Sequence, residues 1–99
     1  MKQMMDQDIQ HEAGKRYFIQ LGDERAEVTY QETGKTRDFR HTFVPEKLRG
    51  QKIAERLVRH ALDDTIKSGY QVVATCPYVK HIVEKFPEYQ AAGATKEGW

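Results

Sequence analysis

Three places in the 99-residue sequence carry side chains whose type and spacing could do chemistry. The first is the turn 45–52, P-E-K-L-R-G-Q-K, which gathers Lys47, Arg49 and Lys52 around Gly50 just ahead of a run with helical periodicity. A helix N-terminus presents free N–H groups and the positive end of the macrodipole, so cations there are unfavourable on their own. They become favourable once an anion joins them, and a glycine lets backbone approach that anion closely. The turn is therefore a candidate phosphate site; the alternative is a solvated bend that the glycine permits. The second place is Cys76, at the end of an apolar strand and in the N-cap region of a helix, where the dipole favours a thiolate. Its alternative is a small buried hydrophobe. The third is His41, which could serve as a general base because its unperturbed pKa is ~6.5; the alternative is a hydrogen-bonded core histidine. No Cys, His and Asp set has metal-ligand spacing, so no metal is expected.

The elements that must position these groups follow from the apolar spacing. Ile53, Ala54, Leu57, Val58, Ala61, Leu62 and Ile66 predict one amphipathic helix, with Lys67 in its last turn and Gly69 as its stop. Ahead of it, Ile9–Glu12 begins a first strand that Gly14 interrupts, and 15–21 has strand composition. Gly22-Asp23 turns the chain back, and Ala26, Val28 and Tyr30 alternate with Glu27 and Thr29. After a second turn at 32–35, the strand Thr36–Val44 is expected to put Phe39, His41 and Phe43 on one face and Arg40, Thr42 and Val44 on the other. Both faces hold something apolar, which predicts a central strand, and Pro45 ends its pairing.

Tyr70–Thr75 reads as a short strand, parallel to Thr36–Val44 because a helical crossover joins the two. Pro77 opens a second helix with Val79, Ile82, Val83 and Phe86 on one face, ending before Pro87. The order β-β-β-α-β-α predicts an α+β fold with a mixed, mostly antiparallel sheet. The whole of 1–99 reads as one domain, with 1–8 and 90–99 expected to be flexible.

Composition narrows the partners. Charged residues make up 31% of the chain but the net charge is +1, so no broad basic field advertises nucleic acid, and a nucleic-acid partner is not expected. A single cysteine excludes an internal disulfide framework and fits a reducing compartment. No apolar run reaches the length of a membrane span and the N-terminus lacks a signal-peptide core, so the expected location is cytoplasmic and no membrane partner is expected.

The strand ending in V-P, then R-G-Q-K-I-A running into the helix, resembles the acyl-CoA-binding motif of the GNAT superfamily of N-acetyltransferases. H-T-F-V-P-E-K-L-R-G, followed by V-V-A-T-C-P-Y-V-K-H and F-P-E-Y, resembles more closely a subfamily of very small single-domain members with a cysteine after the strand that follows the main helix. The likeness covers about residues 15 to 89. It implies a minimal GNAT-like fold in which the strands before and after the main helix splay apart to admit the pantetheine of acetyl-CoA. Backbone near Phe43 and Val44 would pair with the pantetheine amides, and N–H groups of Arg49, Gly50, Gln51, Lys52, Ile53 and Ala54 would hold the pyrophosphate. Cys76 would lie near the thioester carbon as a possible acetyl-accepting nucleophile, and Tyr78 could hydrogen-bond beside it, its alternative being an ordinary packing aromatic.

Three departures from that pattern matter. Lys47 and Lys52 stand at the first and last positions of a motif whose last residue is usually small. No tyrosine lies near Val83, where larger members carry a general acid. Gly22-Asp23 also turns straight back where larger members insert two helices that help wall the acceptor site. The resemblance implies transfer of acetyl from acetyl-CoA to an unidentified amine. A CoA-binding sensor or interaction module without catalysis is the alternative. A third reading is an RNA-binding module using Lys47, Arg49, Lys52, Arg56 and Arg59, against which stand the near-zero net charge and the lack of an aromatic-rich RNA motif.

Overall fold

Alternation of apolar and polar residues builds one sheet whose strands lie in chain order, and the computed structural model describes residues 8–91 and 95–96. The strands are β1 (Gln10–Glu12), β2 (Arg16–Leu21), β3 (Glu24–Thr33), β4 (Thr36–Phe43), β5 (Gln71–Ala74) and β6 (Thr95–Lys96). β1 through β4 are antiparallel neighbours, whereas β5 joins β4 and β6 joins β5 in parallel. This is the mixed, mostly antiparallel α+β architecture expected from the element order, with the first short strand at Gln10–Glu12 where 9–12 predicts one and an additional short strand, β6, at the other edge.

The apolar stripe forms α1 (Ile53–Lys67), which buries Ile53, Leu57, Val58, Ala61 and Leu62. It stops where the sequence says it should. Gly69 sits at φ +84°, and the Tyr70 N–H reaches back to the Thr65 carbonyl at 3.0 Å, which satisfies a carbonyl the last turn leaves free. A 3-10 turn (Glu46–Leu48) precedes α1, and α2 (Pro77–Lys85) follows β5. α1 packs on β2 to β5, and α2 packs on β4, β5 and α1, so the helices share one face of the sheet. The single core lies between that face and the helices. Among the described residues no helix covers the opposite face.

Two expectations need correction. The second helix does end before Pro87, at Lys85, but beyond it, where no further element is expected and 90–99 is expected to be flexible, a short α3 (Pro87–Ala91) forms. Tyr89 is what folds it back. Its ring is buried, and its hydroxyl accepts from Arg59 Nε at 3.1 Å while the same guanidinium stacks on Phe86 at 3.9 Å. Residues 1–7, 92–94 and 97–99, which hold most of the tails expected to be flexible, lie outside the described residues.

The second correction concerns β4. Thr29 pairs with His41 and Tyr30 with Phe39, so Arg40 is an extra residue opposite the Thr29/Tyr30 step of β3, a β-bulge. One inserted residue exchanges the faces of everything after it. Phe39 is fully buried under the helices, but His41 and Phe43 turn to the uncovered face, and Thr42 takes their place on the core face opposite Val28. Phe39, His41 and Phe43 therefore do not share a face.

At the far end of α1 a polar cluster runs from buried Arg37 and Thr65 to the edge of the core. The Arg37 side chain, 7% exposed, donates to Glu32 at 3.0 Å, to the Tyr17 hydroxyl at 2.8 Å and to the Thr65 hydroxyl at 3.2 Å. Tyr17 donates in turn to Asp64 at 2.5 Å. His11 of β1 stacks flat on Tyr17 with ring centroids 4.0 Å apart, and its Nε2 lies 2.6 Å from the Tyr30 hydroxyl. That hydroxyl also accepts the Gly14 N–H at 2.8 Å, which ties β1 and the turn after it to β3. Burial, and then the nearby Arg37 guanidinium, hold His11 below its ordinary pKa. The folded state thus binds this proton less readily than the unfolded chain, so the contribution is intact above pH ~6.5 and is lost as the pH falls below it. Urea melts at about pH 7.5 and about pH 5.5 should show wild-type stability dropping with acid and His11→Gln dropping less. Equal drops in both proteins would exclude His11 as the source.

Candidate functional site

α1 begins with its donors unclaimed. Lys52 is the N-cap residue and makes no capping hydrogen bond through its side chain. Among the described residues the N–H groups from Gly50 to Glu55 make no backbone hydrogen bond; the first to do so is Arg56, which reaches the Lys52 carbonyl at 3.0 Å. Gly50 stands at φ +85° and Lys52 at φ 58°. A left-handed backbone costs a side-chain-bearing residue about 1–2 kcal/mol. Lys52 is the one non-glycine in that region among the described residues, so the bend holds an unfavourable lysine against a helix end already positive.

A cleft opens above this end because β4 and β5 part company. Their last pair is Phe39 with Ala74. Beyond it the Thr75 and Cys76 N–H groups both donate to the Phe39 carbonyl, at 3.1 and 2.8 Å, and Pro77 starts α2. β4 continues alone on that side from Arg40 to Phe43. Two cavities of about 300 Å³ each lie along the gap and share Val44, Arg49, Ala54 and Tyr78. One reaches the helix end at Gly50, Lys52 and Ile53. The other extends to Thr42 and Phe43. Thr42 Oγ1 lies 3.4 Å from Cys76 Sγ, so the cleft runs from the bare helix end to the hydroxyl that touches the only thiol.

The residues singled out in the sequence distribute as follows. Val44, Arg49, Gly50, Lys52, Ile53, Ala54, Phe43 and Tyr78 line the two cavities, whereas Gln51 lines neither and is exposed. Arg49 is partly spoken for, since its Nε donates to the Val44 carbonyl at 3.1 Å. Lys47 lies in the 3-10 turn with its side chain 83% exposed, 3.9 Å from Glu24, and lines neither cavity. Cys76 is the N-cap of α2 and is 5% exposed, behind Thr42. His41 is exposed on the uncovered face of the sheet, where the bulge puts it, and lines neither cavity.

Sequence reasoning passed over three lining residues, Thr42, Leu48 and Glu55. Thr42 was hidden by the bulge, Leu48 looked like part of a polar turn, and Glu55 carried only the weak signal of an acid in a first helical turn. The Glu55 carboxylate receives Lys85 Nζ at 2.8 Å, and that hydrogen bond pulls its pKa down. Tyr78 is the polar group with a free end. Its hydroxyl makes no hydrogen bond among the described residues, and burial, then the Glu55 carboxylate, raise its pKa, so the phenol keeps its proton and remains a donor toward the cleft. Among the described residues no set of His, Cys, Asp and Glu is placed to hold a metal ion, and no helix is long and apolar enough to cross a membrane.

The cysteine reading has a direct check. A thiol this buried should react with iodoacetamide at least about tenfold more slowly in the folded protein than in urea. Equal rates in both states would mean that the thiol is open to solvent and that Thr42 does not screen it.

The comparisons with known proteins agree with this geometry. A family model described as GCN5-related N-acetyl-transferase matches residues 16–92. Protein NATD1 of Danio rerio is 34% identical over 86 residues, which is 83% of this chain and 78% of that protein. Protein NATD1 of Homo sapiens is 32% identical over 83 residues, covering 80% and 74%. The solution structure of a GCN5-like protein from Staphylococcus aureus aligns with a TM-score of 0.69 over 96% of this chain and 95% of that one, at 23% identity, a likeness of fold. With the family model matching from β2 past α3, and with the parted strands and bare helix end inside the matched span, the chain belongs to the GCN5-related N-acetyl-transferase family.

Proposed function

We propose that this protein binds acetyl-CoA in the cleft between β4 and β5 and moves its acetyl group to an amine. The observation that carries the reading is the run of unclaimed N–H groups from Gly50 to Glu55, opening into a gap that ends at Thr42 and Cys76. These residues fit the donor by their chemistry. A diphosphate needs several hydrogen-bond donors and positive charge at close range, which the helix end, Gly50 and Lys52 supply. A pantetheine amide chain needs a free strand edge, which β4 offers beyond Phe39. When bound, acetyl-CoA supplies an activated thioester. Tyr78 would hold its proton in reach of a departing sulfur, and the Thr42 hydroxyl would orient the Cys76 thiol at the inner end.

A second reading, CoA binding without turnover, is favoured by one observation. The carboxylate of Glu55 is tied to Lys85, and no histidine is among the residues lining the cavities. A binding assay followed by a turnover assay separates the two readings. Thermal shifts with CoA and acetyl-CoA should exceed those with a short RNA, because ligand at ~100 times its Kd adds about 2.7 kcal/mol of apparent stability. Thiol release from acetyl-CoA across a panel of small amines, polyamines and lysine peptides then supports transfer, and binding without release supports the sensor. No shift with either coenzyme would rule out both.

A further inference from the structure

Resting on the acetyl-transfer reading, we infer that the uncovered face of the sheet binds the acceptor, and that Glu27, set between Phe18 and Phe43, holds the non-reacting ammonium of an aliphatic diamine. The register makes the row. Phe18 pairs with Glu27 across β2 and β3, and Glu27 pairs with Phe43 across β3 and β4, so the three side chains stand side by side on the face away from the helices. With strands ~4.8 Å apart the row spans about 10 Å. Its inner end is Phe43, which lines the cavity that reaches Thr42 and is the one large apolar side chain exposed among the described residues, at 47%. The row therefore begins at the mouth of the acyl cleft and leads away from it.

A carboxylate flanked by two aromatic rings suits an alkylammonium. The charge meets the carboxylate, the methylenes lie along the rings, and the ring faces attract the cation. The Phe18 ring already holds the Arg25 guanidinium at 4.3 Å on one side, so the ring most open to the ligand is Phe43. Glu27 keeps capacity for a second partner. Its Oε1 takes Arg16 at 3.2 Å, and its Oε2 has no side-chain partner among the described residues. The other arginines of the face are largely neutralised in place, Arg16 also by Glu12 at 3.1 Å and Arg40 by Asp38 at 2.7 Å. So charged a face is poorly suited to stacking on the sheet of a second copy.

The geometry also separates two nitrogens. A nitrogen held by Glu27 is on β3, a strand away from the cleft edge on β4, so it is not the one that meets the thioester. The reacting amine must be a second one, carried past Phe43 by a short chain, and it must be neutral while the anchored one stays charged.

Amide NMR titration of the ligand-free protein with 1,4-diaminobutane, with 1,4-butanediol as the uncharged control, tests this without relying on coenzyme. Saturable shifts centred on Phe18, Glu27 and Phe43 with the diamine, and none with the diol, are expected. Glu27→Gln should weaken that binding by about tenfold or more, the loss expected for one charge-assisted contact. Phe43→Ala, at a half-exposed position outside the buried core, should weaken it severalfold. Shifts that centre elsewhere, that survive Glu27→Gln, or that never appear overturn the assignment. A parallel titration with CoA is read at residues 49–54 and the diamine site at Phe18 and Glu27, so with Phe43 common to both, loss of the diamine site and loss of the donor site are still read independently.

Discussion

Gly50→Glu is expected to abolish the thermal shift produced by CoA while leaving the protein folded. In the wild type, CoA at ~100 times its Kd should add about 2.7 kcal/mol, which for a domain of this size is a rise in Tm of about 10–20 °C. The substitution acts on that shift by charge, because it sets a carboxylate at the helix end where the diphosphate would sit. Its effect on the fold is separate and smaller. A β-carbon at Gly50 meets no atom within 4 Å, so the cost is the strain of φ +85°, about 1–2 kcal/mol. Gly50→Ala carries the same strain without the charge and should keep a reduced shift. A full shift in Gly50→Glu would put the coenzyme somewhere else.

Arg37→Ala is expected to cost about 3 kcal/mol of stability, the low end for removing one partner of a buried ion pair, because the Glu32 carboxylate is 30% exposed and can be hydrated. The loss is large because Arg37 serves three elements at once. It ties Glu32 of β3, Tyr17 of β2 and Thr65 of α1, and its removal takes a donor from all three at once. Against a total of ~5–15 kcal/mol for a domain, that is a substantial fraction, and urea midpoints should show it plainly. Tyr17→Phe removes one hydroxyl, leaves the guanidinium with Glu32 and Thr65, and should cost less, about 1–2 kcal/mol. If Arg37→Ala costs below about 1 kcal/mol, the cluster behaves as a surface ion pair and its burial counts for little.

What was legible in the sequence was what a fixed period encodes. The stripe from Ile53 to Ile66, the alternation of Ala26, Val28 and Tyr30, and the helical crossover that makes β4 and β5 parallel each repeat a rule several times. What escaped was set by single residues. Arg40, one inserted residue, sends His41 and Phe43 to the open face and brings Thr42 to the thiol, and no period announces a bulge before the partner strand is known. α3 escaped because Pro87 reads as a stop, while the tie from Arg59 to Tyr89 joins residues thirty apart. The place of His11 is illegible for the same reason, since its partners Tyr17, Tyr30 and Asp64 are brought together only by the sheet and by α1. The cleft lay between. The oddly basic helix start was visible from charge alone, and the family motif pointed to the same turn, but its inner boundary at Thr42 needed the register.

The most direct test of the central claim is an amide NMR titration of the wild-type protein with CoA. The largest shifts should fall on the N–H groups from Gly50 to Glu55, which have no backbone partner, with a second set on Phe43 and Val44 along the free edge of β4. Shifts confined to other surfaces, or none at saturating coenzyme, would contradict the account.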